Sequence, residues 1–286
     1  MNWIESRGLS KIYGKREVLR GIDLEVGDGI NLISGENGSG KSTLISILAG
    51  LTPKTSGNIT ILDHDPMKQS KEIMKRVYFT PEAPIFFHSD IVDEFLYAHM
   101  NLNGYTKENL SYFLDTFGIG ALVHSHFQSL SMGERELIMD AAALATGKEY
   151  FIMDEPNSNI DTSKRATLSA EILKMANKNK SSFLIVTHVT DNILNISNRI
   201  YSLKNGLIKS EISTEKGFDE MKNICIKIRA FSISELKETL SVFSPIITGN
   251  EITIHGQKLH NILFKLSPKE LSFITNIDVS VETGEV

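Results

Sequence analysis

The chain has 286 residues, 30 Lys and Arg against 35 Asp and Glu, and 41% hydrophobic residues, an ordinary globular composition with room for one large domain or a domain and a smaller one. A net charge of -5 without a Lys/Arg block argues against a protein held on duplex nucleic acid by phosphate contacts. The single cysteine, Cys225, excludes an internal disulfide and reads as a small buried hydrophobe.

The first residues, MNWIESRGLSKIYGK, lack the apolar stretch of a signal peptide, and no run approaches about 18 uncharged apolar residues, so neither export nor a membrane span is expected. Residues 15–34 alternate short apolar segments with Gly and Asp, a pattern of strands joined by tight turns. Ile30, Leu32 and Ile33 run directly into a glycine-rich segment. Behind it, Leu44, Ile45, Ile47 and Leu48 predict a helix that Gly50 and Pro53 stop. Apolar runs at Val77–Phe79, Tyr150–Met153 and Phe183–Val186 have the length and β-branched or aromatic content of strands buried on both faces of a parallel sheet. Between the first two, residues 88–145 show helical spacing (Phe95, Leu96, His99, Leu102; Leu110, Phe113, Leu114, Phe117), a helical insertion in an α/β domain.

Ile200–Leu203 and Leu207–Ile208 flank Asn205 and Gly206 and predict a closing hairpin. Beyond residue 213 the pattern restarts. Ile224, Ile226 and Ile228 alternate with polar neighbours, Ser232 and Glu235 form a capping-box pair, and strand-like pieces at 251–255 and 273–281 flank a helix around Leu259–Leu266. The expected organisation is a main domain over 1–212 and a small α/β unit over 213–286.

Gly35–Ser42 reads GENGSGKS, the P-loop spacing of Gly, four residues, Gly, Lys, Ser. The phosphate cradle covers Gly35, Glu36, Asn37, Gly38, Ser39, Gly40, Lys41, Ser42 and Thr43: backbone N–H groups converge on phosphate oxygens, and the following helix points its positive end at the same anion. Lys41 is expected on the β and γ phosphates of ATP, and Ser42 on Mg²⁺. Tyr150–Glu155 reads YFIMDE, an apolar strand that delivers two carboxylates at its C-terminal end. Asp154 suits Mg²⁺, and Glu155 suits orienting or deprotonating an attacking water.

Three further motifs accompany these: Leu130–Glu134 (LSMGE) before the acidic pair, Asn159–Asp161 (NID) after it, and Thr187-His188 at the end of the next apolar strand. In this order the motifs resemble the nucleotide-binding subunit of an ATP-binding cassette (ABC) transporter over residues 1–212. The resemblance implies a P-loop NTPase fold: a mixed sheet core, an antiparallel β subdomain and the helical insertion. It implies that Tyr13 stacks on adenine, that Ser131 and Gly133 belong to the signature loop contacting ATP across a dimer, that Asp161 lies in the loop crossing that interface, and that His188 is the switch histidine near the γ-phosphate. It further implies ATP hydrolysis by a homodimer, or a heterodimer with a related ATPase subunit, on the cytoplasmic face of the membrane through polytopic permease subunits, with no nucleic acid.

Two segments depart from the family pattern. Met132 and Glu134 replace the first glycine and the glutamine of LSGGQ, and Glu82 stands where a Mg²⁺-ligating glutamine is common. A carboxylate also ligates Mg²⁺. Similar glutamates occur in the export-associated group, which often carries a C-terminal appendage, so export is the expected direction. The segment Pro84–Phe87 reads equally as a docking groove for a partner helix and as hinge-side packing. Local readings compete elsewhere: Ser131 and Glu134 also fit a plain capping box, Tyr13 simple packing, and His124 and His126 loop positions without a metal. Alternatives for the whole chain are a soluble ABC-type ATPase acting on DNA or the ribosome, and an ATP-binding regulator with little turnover.

Overall fold

The computed structural model describes residues 2–80, 91–156, 159–187, 193, 196–213, 224–255, 262 and 265–281. Two sheets build the region up to residue 213. A six-stranded sheet has the order β5-β6-β7-β3-β8-β9, from Val77–Thr80 (β5), Tyr150–Asp154 (β6), Ser182–Thr187 (β7), Ile30–Ser34 (β3), Arg199–Lys204 (β8) and Leu207–Ser213 (β9). Its first five strands pair in parallel, and β9 closes the edge antiparallel to β8. A three-stranded antiparallel sheet, β2-β1-β4, is made by Asn2–Tyr13 (β1), Arg16–Gly27 (β2) and Ser56–Ile61 (β4).

The large sheet is buried on both faces, and the period of two along its strands sorts side chains between two cores. Leu32, Phe151, Met153, Phe183 and Ile185 point to one core, and Ile33, Ile152, Leu184 and Val186 to the other. The second core is covered by the antiparallel sheet and by helix α1 (Lys41–Leu48), whose Leu44, Ile45, Ile47 and Leu48 are all buried. The first is covered by the helical insertion, namely α3 (Val92–Asn103), α4 (Lys107–Thr116) and α5 (Met132–Ala145), and by α6 (Thr162–Lys178). A short helix α2 (Ser70–Arg76) leads into β5. Phe151 and Phe183 stack across β6 and β7 with centroids 4.9 Å apart, worth about 0.5–1.5 kcal/mol beyond their burial.

Residues 224–281 form a four-stranded antiparallel sheet, β11-β12-β10-β13, from Ile224–Ala230 (β10), Ile246–Thr248 (β11), Glu251–His255 (β12) and Ile274–Val281 (β13). Ile226, Ile228, Ile252 and Ile254 of this sheet, with Leu236 and Leu240 of α7 (Ile233–Leu240), share one apolar cluster with α6. The backbone of β13 and the short α8 (Pro268–Leu271) lie against α6.

Two local expectations change, and one strand is additional. Ser232 precedes α7 but makes no capping bond; its hydroxyl lies 3.2 Å from that of Ser234. Leu102 is 85% exposed, because α3 buries only Val92 and Leu96. The short β11 has no apolar alternation long enough to read. Most of the helix expected around Leu259–Leu266, and the side chain of Cys225, lie outside the described residues.

Candidate functional site

The P-loop occupies the turn between β3 and α1, beside the C-terminal ends of the parallel strands, where open α/β sheets place ligands. Its conformation needs glycine. Gly38 and Gly40 have φ of 79° and 113°, and a Cβ on Gly35 would stand 2.4 Å from the carbonyl of Leu203 on β8. The loop is braced from within by Ser39 N donating to Glu36 O (3.1 Å) and from outside by Gly206 N donating to Ser39 O (2.9 Å). Gly206 in turn accepts from Arg20 N at 2.9 Å, so the β8–β9 hairpin links β2 to the P-loop. Asn205 and Gly206 both have positive φ, as the hairpin expectation requires.

A cavity of about 350 Å³ opens over this loop, lined by Arg16, Val18, Asn37, Gly38, Gly40, Lys41, Ser42, Thr43 and Glu155. Lys41 and Glu155, their side chains 7% and 6% exposed, face each other with Nζ and Oε1 3.8 Å apart. The Lys41 ammonium also donates to the carbonyls of Gly35 (2.6 Å) and Glu36 (3.3 Å). Glu155 sits in a left-handed conformation (φ 52°), its N–H donating to Val186 O at 2.8 Å. Thr187 Oγ1 donates to Glu155 Oε2 at 2.7 Å, inside the protein. The neighbouring Asp154 is buried at the end of β6, Ser42 is exposed on the first turn of α1, and the Ser39 hydroxyl is buried without a partner among the described residues.

The LSMGE segment begins α5. Ser131 is the N-cap: its hydroxyl accepts from Glu134 N, and the Glu134 carboxylate accepts from Ser131 N, a full capping box. The N–H groups of Met132 and Gly133 find no hydrogen-bond partner among the described residues, and Met132 is 55% exposed. Gly133 packs so closely on the next loop that a Cβ there would stand 2.4 Å from Asn159 O. Asp161 caps α6, accepting from Lys164 N (3.0 Å) and Ser163 Oγ (2.6 Å). Burial pushes the Asp161 carboxyl upward, but these bonds and the Lys164 charge outweigh it and hold it below the usual carboxylate range.

Lys41, Glu155 and the P-loop residues are therefore brought together as expected. Tyr13, 49% exposed at the end of β1 with the Lys11 ammonium 4.7 Å from its ring centroid, is not among the residues lining the cavity; Arg16 and Val18 of β2 are. Glu82, His188 and Pro84–Phe87 lie outside the described residues. His124 is exposed, 3.8 Å from Asp93 Oδ2. Sequence reasoning missed Thr187 as the anchor of Glu155 and Gly206 as a brace of the P-loop.

The family described as ABC transporter matches residues 19–158, from β2 through the acidic pair. The phosphonates import ATP-binding protein PhnC of Fusobacterium nucleatum is 31% identical over 223 residues, 72% of this chain and 90% of that protein. This chain belongs to the ABC transporter family. As such it is an ATP-binding, ATP-hydrolysing cassette. The bacitracin transport ATP-binding protein BcrA of Bacillus licheniformis is 26% identical, over 90% of the cassette chain and 82% of its own length. The dimeric structure of another ATP-binding cassette, bound to ADP and Pi, superposes with a TM-score of 0.62 at 20% identity, covering 73% of this chain and 98% of that one, a likeness of fold. No helix among the cassette's described residues is long and apolar enough to cross a membrane.

Proposed function

We propose that this cassette binds MgATP in the P-loop cavity, pairs head to tail with a second cassette, and uses the ATP-driven pairing to move separate polytopic membrane subunits. The observation that carries the reading is the Glu155 carboxylate held by Thr187 inside the cavity, with its other oxygen toward Lys41. In this reading the P-loop N–H groups and the α1 N-terminus bind the phosphates, and Lys41 exchanges its two carbonyl partners for phosphate oxygens. Glu155, with Oε2 anchored by Thr187, orients the attacking water and takes its proton. The N–H groups of Met132 and Gly133 of the opposite cassette add donors for the charge that develops on the γ-phosphate.

The donor set fits Mg²⁺. Ser42 and Asp154 supply one hydroxyl and one carboxylate, the sparse protein contribution this ion takes when phosphates and water complete its shell. When bound, the ion neutralises phosphate charge during transfer. Tyr13 on adenine, Glu82 on the metal, and His188 and Asp161 at the γ-phosphate and interface are the roles that the family resemblance assigns. Residues 213–286 are proposed as an accessory unit. Support for membrane subunits comes from relatives named for transport; their names divide between import and bacitracin transport, so the coupling is proposed without a direction.

Glu155→Gln tests the core of this reading. ATP affinity should hold within about threefold, turnover should fall by about a hundredfold or more, and ATP should drive a dimer visible by size exclusion. Unchanged hydrolysis would remove Glu155 from its role. With the chain as bait in solubilised membranes, recovery of a polytopic membrane protein supports the coupling; recovery of ribosomes or DNA instead overturns it.

A further inference from the structure

We propose that Glu136 is a positioning residue: its carboxylate clamps the Asn159–Asp161 loop onto the N-terminal turn of α5, so that two segments facing the partner's nucleotide act as one rigid piece. The proposal rests on the head-to-tail reading above. Glu136 is 7% exposed, an uncommon place for a carboxylate unless its oxygens are engaged. Asn159 engages both of them. Asn159 N donates to Oε2 at 3.1 Å, and Asn159 Nδ2 donates to Oε1. A two-point bond from an ionisable acceptor fixes orientation as well as distance.

Three further contacts make the clamp rigid. Gly133 lies against the Asn159 carbonyl with no room for a Cβ, so the signature turn and the loop touch backbone to backbone. On the far side, Arg165 Nε donates to Ile160 O at 2.9 Å, and Asp161 caps α6. The loop is thus held at its first residue by α5 and at its last by α6. Ser131 and Gly133 stand at one end of this unit and Asp161 at the other. An incoming partner nucleotide then meets a preorganised surface and does not have to order a loop on binding.

The test uses the full chain carrying Glu155→Gln, with sedimentation reporting ATP-dependent dimerisation and a fluorescent ATP analogue reporting P-loop affinity at protein concentrations below dimerisation. Adding Glu136→Leu should weaken the dimer about tenfold or more while P-loop affinity stays within about twofold. Glu136→Gln should restore dimerisation to within about threefold, because its amide can accept from Asn159 N and exchange the second bond with a turned Asn159 amide. The proposal is overturned if Glu136→Leu dimerises as well as its parent, if P-loop affinity and dimerisation fall together, or if Gln does no better than Leu. Should Glu155→Gln itself fail to dimerise with ATP, the head-to-tail reading falls and the clamp's role with it; normal dimerisation of both variants rejects the clamp alone.

Discussion

Glu134 holds Ser131 by two bonds, its Oε2 accepting from the Ser131 backbone N–H at 2.8 Å and from the Ser131 hydroxyl at 2.7 Å. These bonds keep the Glu134 carboxyl below the usual carboxylate range, so a negative charge stands at the helix terminus proposed to meet the partner's γ-phosphate, and it occupies the serine proton. Glu134→Gln keeps the capping geometry and removes the charge. It should tighten ATP-dependent dimerisation and raise turnover, each about threefold to tenfold, as read by sedimentation and phosphate release. Equal dimerisation would show that the charge is neutral to the contact, and weaker dimerisation that the carboxylate supports it.

The legible parts of this chain share a physical trait: their signal is local. The runs at Val77–Phe79, Tyr150–Met153 and Phe183–Val186 read as buried strands because both faces carry apolar groups, and all three lie in the parallel sheet. The GENGSGKS spacing reads as a phosphate loop because glycine adopts the positive φ found at Gly38 and Gly40 without the cost a Cβ adds. What stayed hidden depends on partners far away in the chain. Gly206 looked like a turn residue, and only folding brings its N–H to Ser39. Glu136 sits in a helical run of mixed charge, and nothing along that run points to Asn159. Leu102 fits the apolar spacing of α3 yet is exposed, because the inward stripe of α3 runs through Val92, Leu96, His99 and Met100 and leaves Leu102 to one side.

His99 joins the helical insertion to the catalytic sheet. Its Nε2 lies 2.6 Å from the Tyr78 hydroxyl on β5 and its Nδ1 2.7 Å from the Tyr105 hydroxyl, with Phe95 beside its ring. Burial lowers its pKa from 6.5 to about 4. A base whose folded pKa is depressed leaves the unfolded chain binding the extra proton, so its contribution is complete above about pH 6.5 and is lost as pH falls toward about 4. At about 1.4 kcal/mol per pH unit, the loss amounts to about 3 kcal/mol. His99→Leu should be less stable than the parent at neutral pH, with the gap in urea unfolding free energy narrowing steadily as pH falls to about 4.5. A gap that stays constant over that range would show that His99 does not titrate in the fold.

Asp140, one turn after Glu136 on α5, is 2% exposed, and its Oδ2 has no hydrogen-bond partner among the described residues. Burial, reinforced by the charge of Glu136, raises its pKa well above the ordinary carboxylate value. Here the folded state holds the proton longer than the unfolded chain. The effect is absent below the ordinary carboxyl range, and stability is lost as pH rises through and beyond it. Asp140→Leu removes both the unmet polar atom and the proton linkage while keeping a helix-favouring residue. It should stabilise the chain by about 1–3 kcal/mol at neutral pH, a rise of about 2–4 °C in Tm per kcal/mol, and by less near pH 4. Asp140→Asn should abolish the pH dependence but gain less, because its amide leaves buried polar atoms unmet. Thermal unfolding of the three proteins at both pH values decides the matter: a Leu variant no more stable than the parent, or an advantage that does not grow with pH, would mean that the Asp140 carboxyl is satisfied in solution.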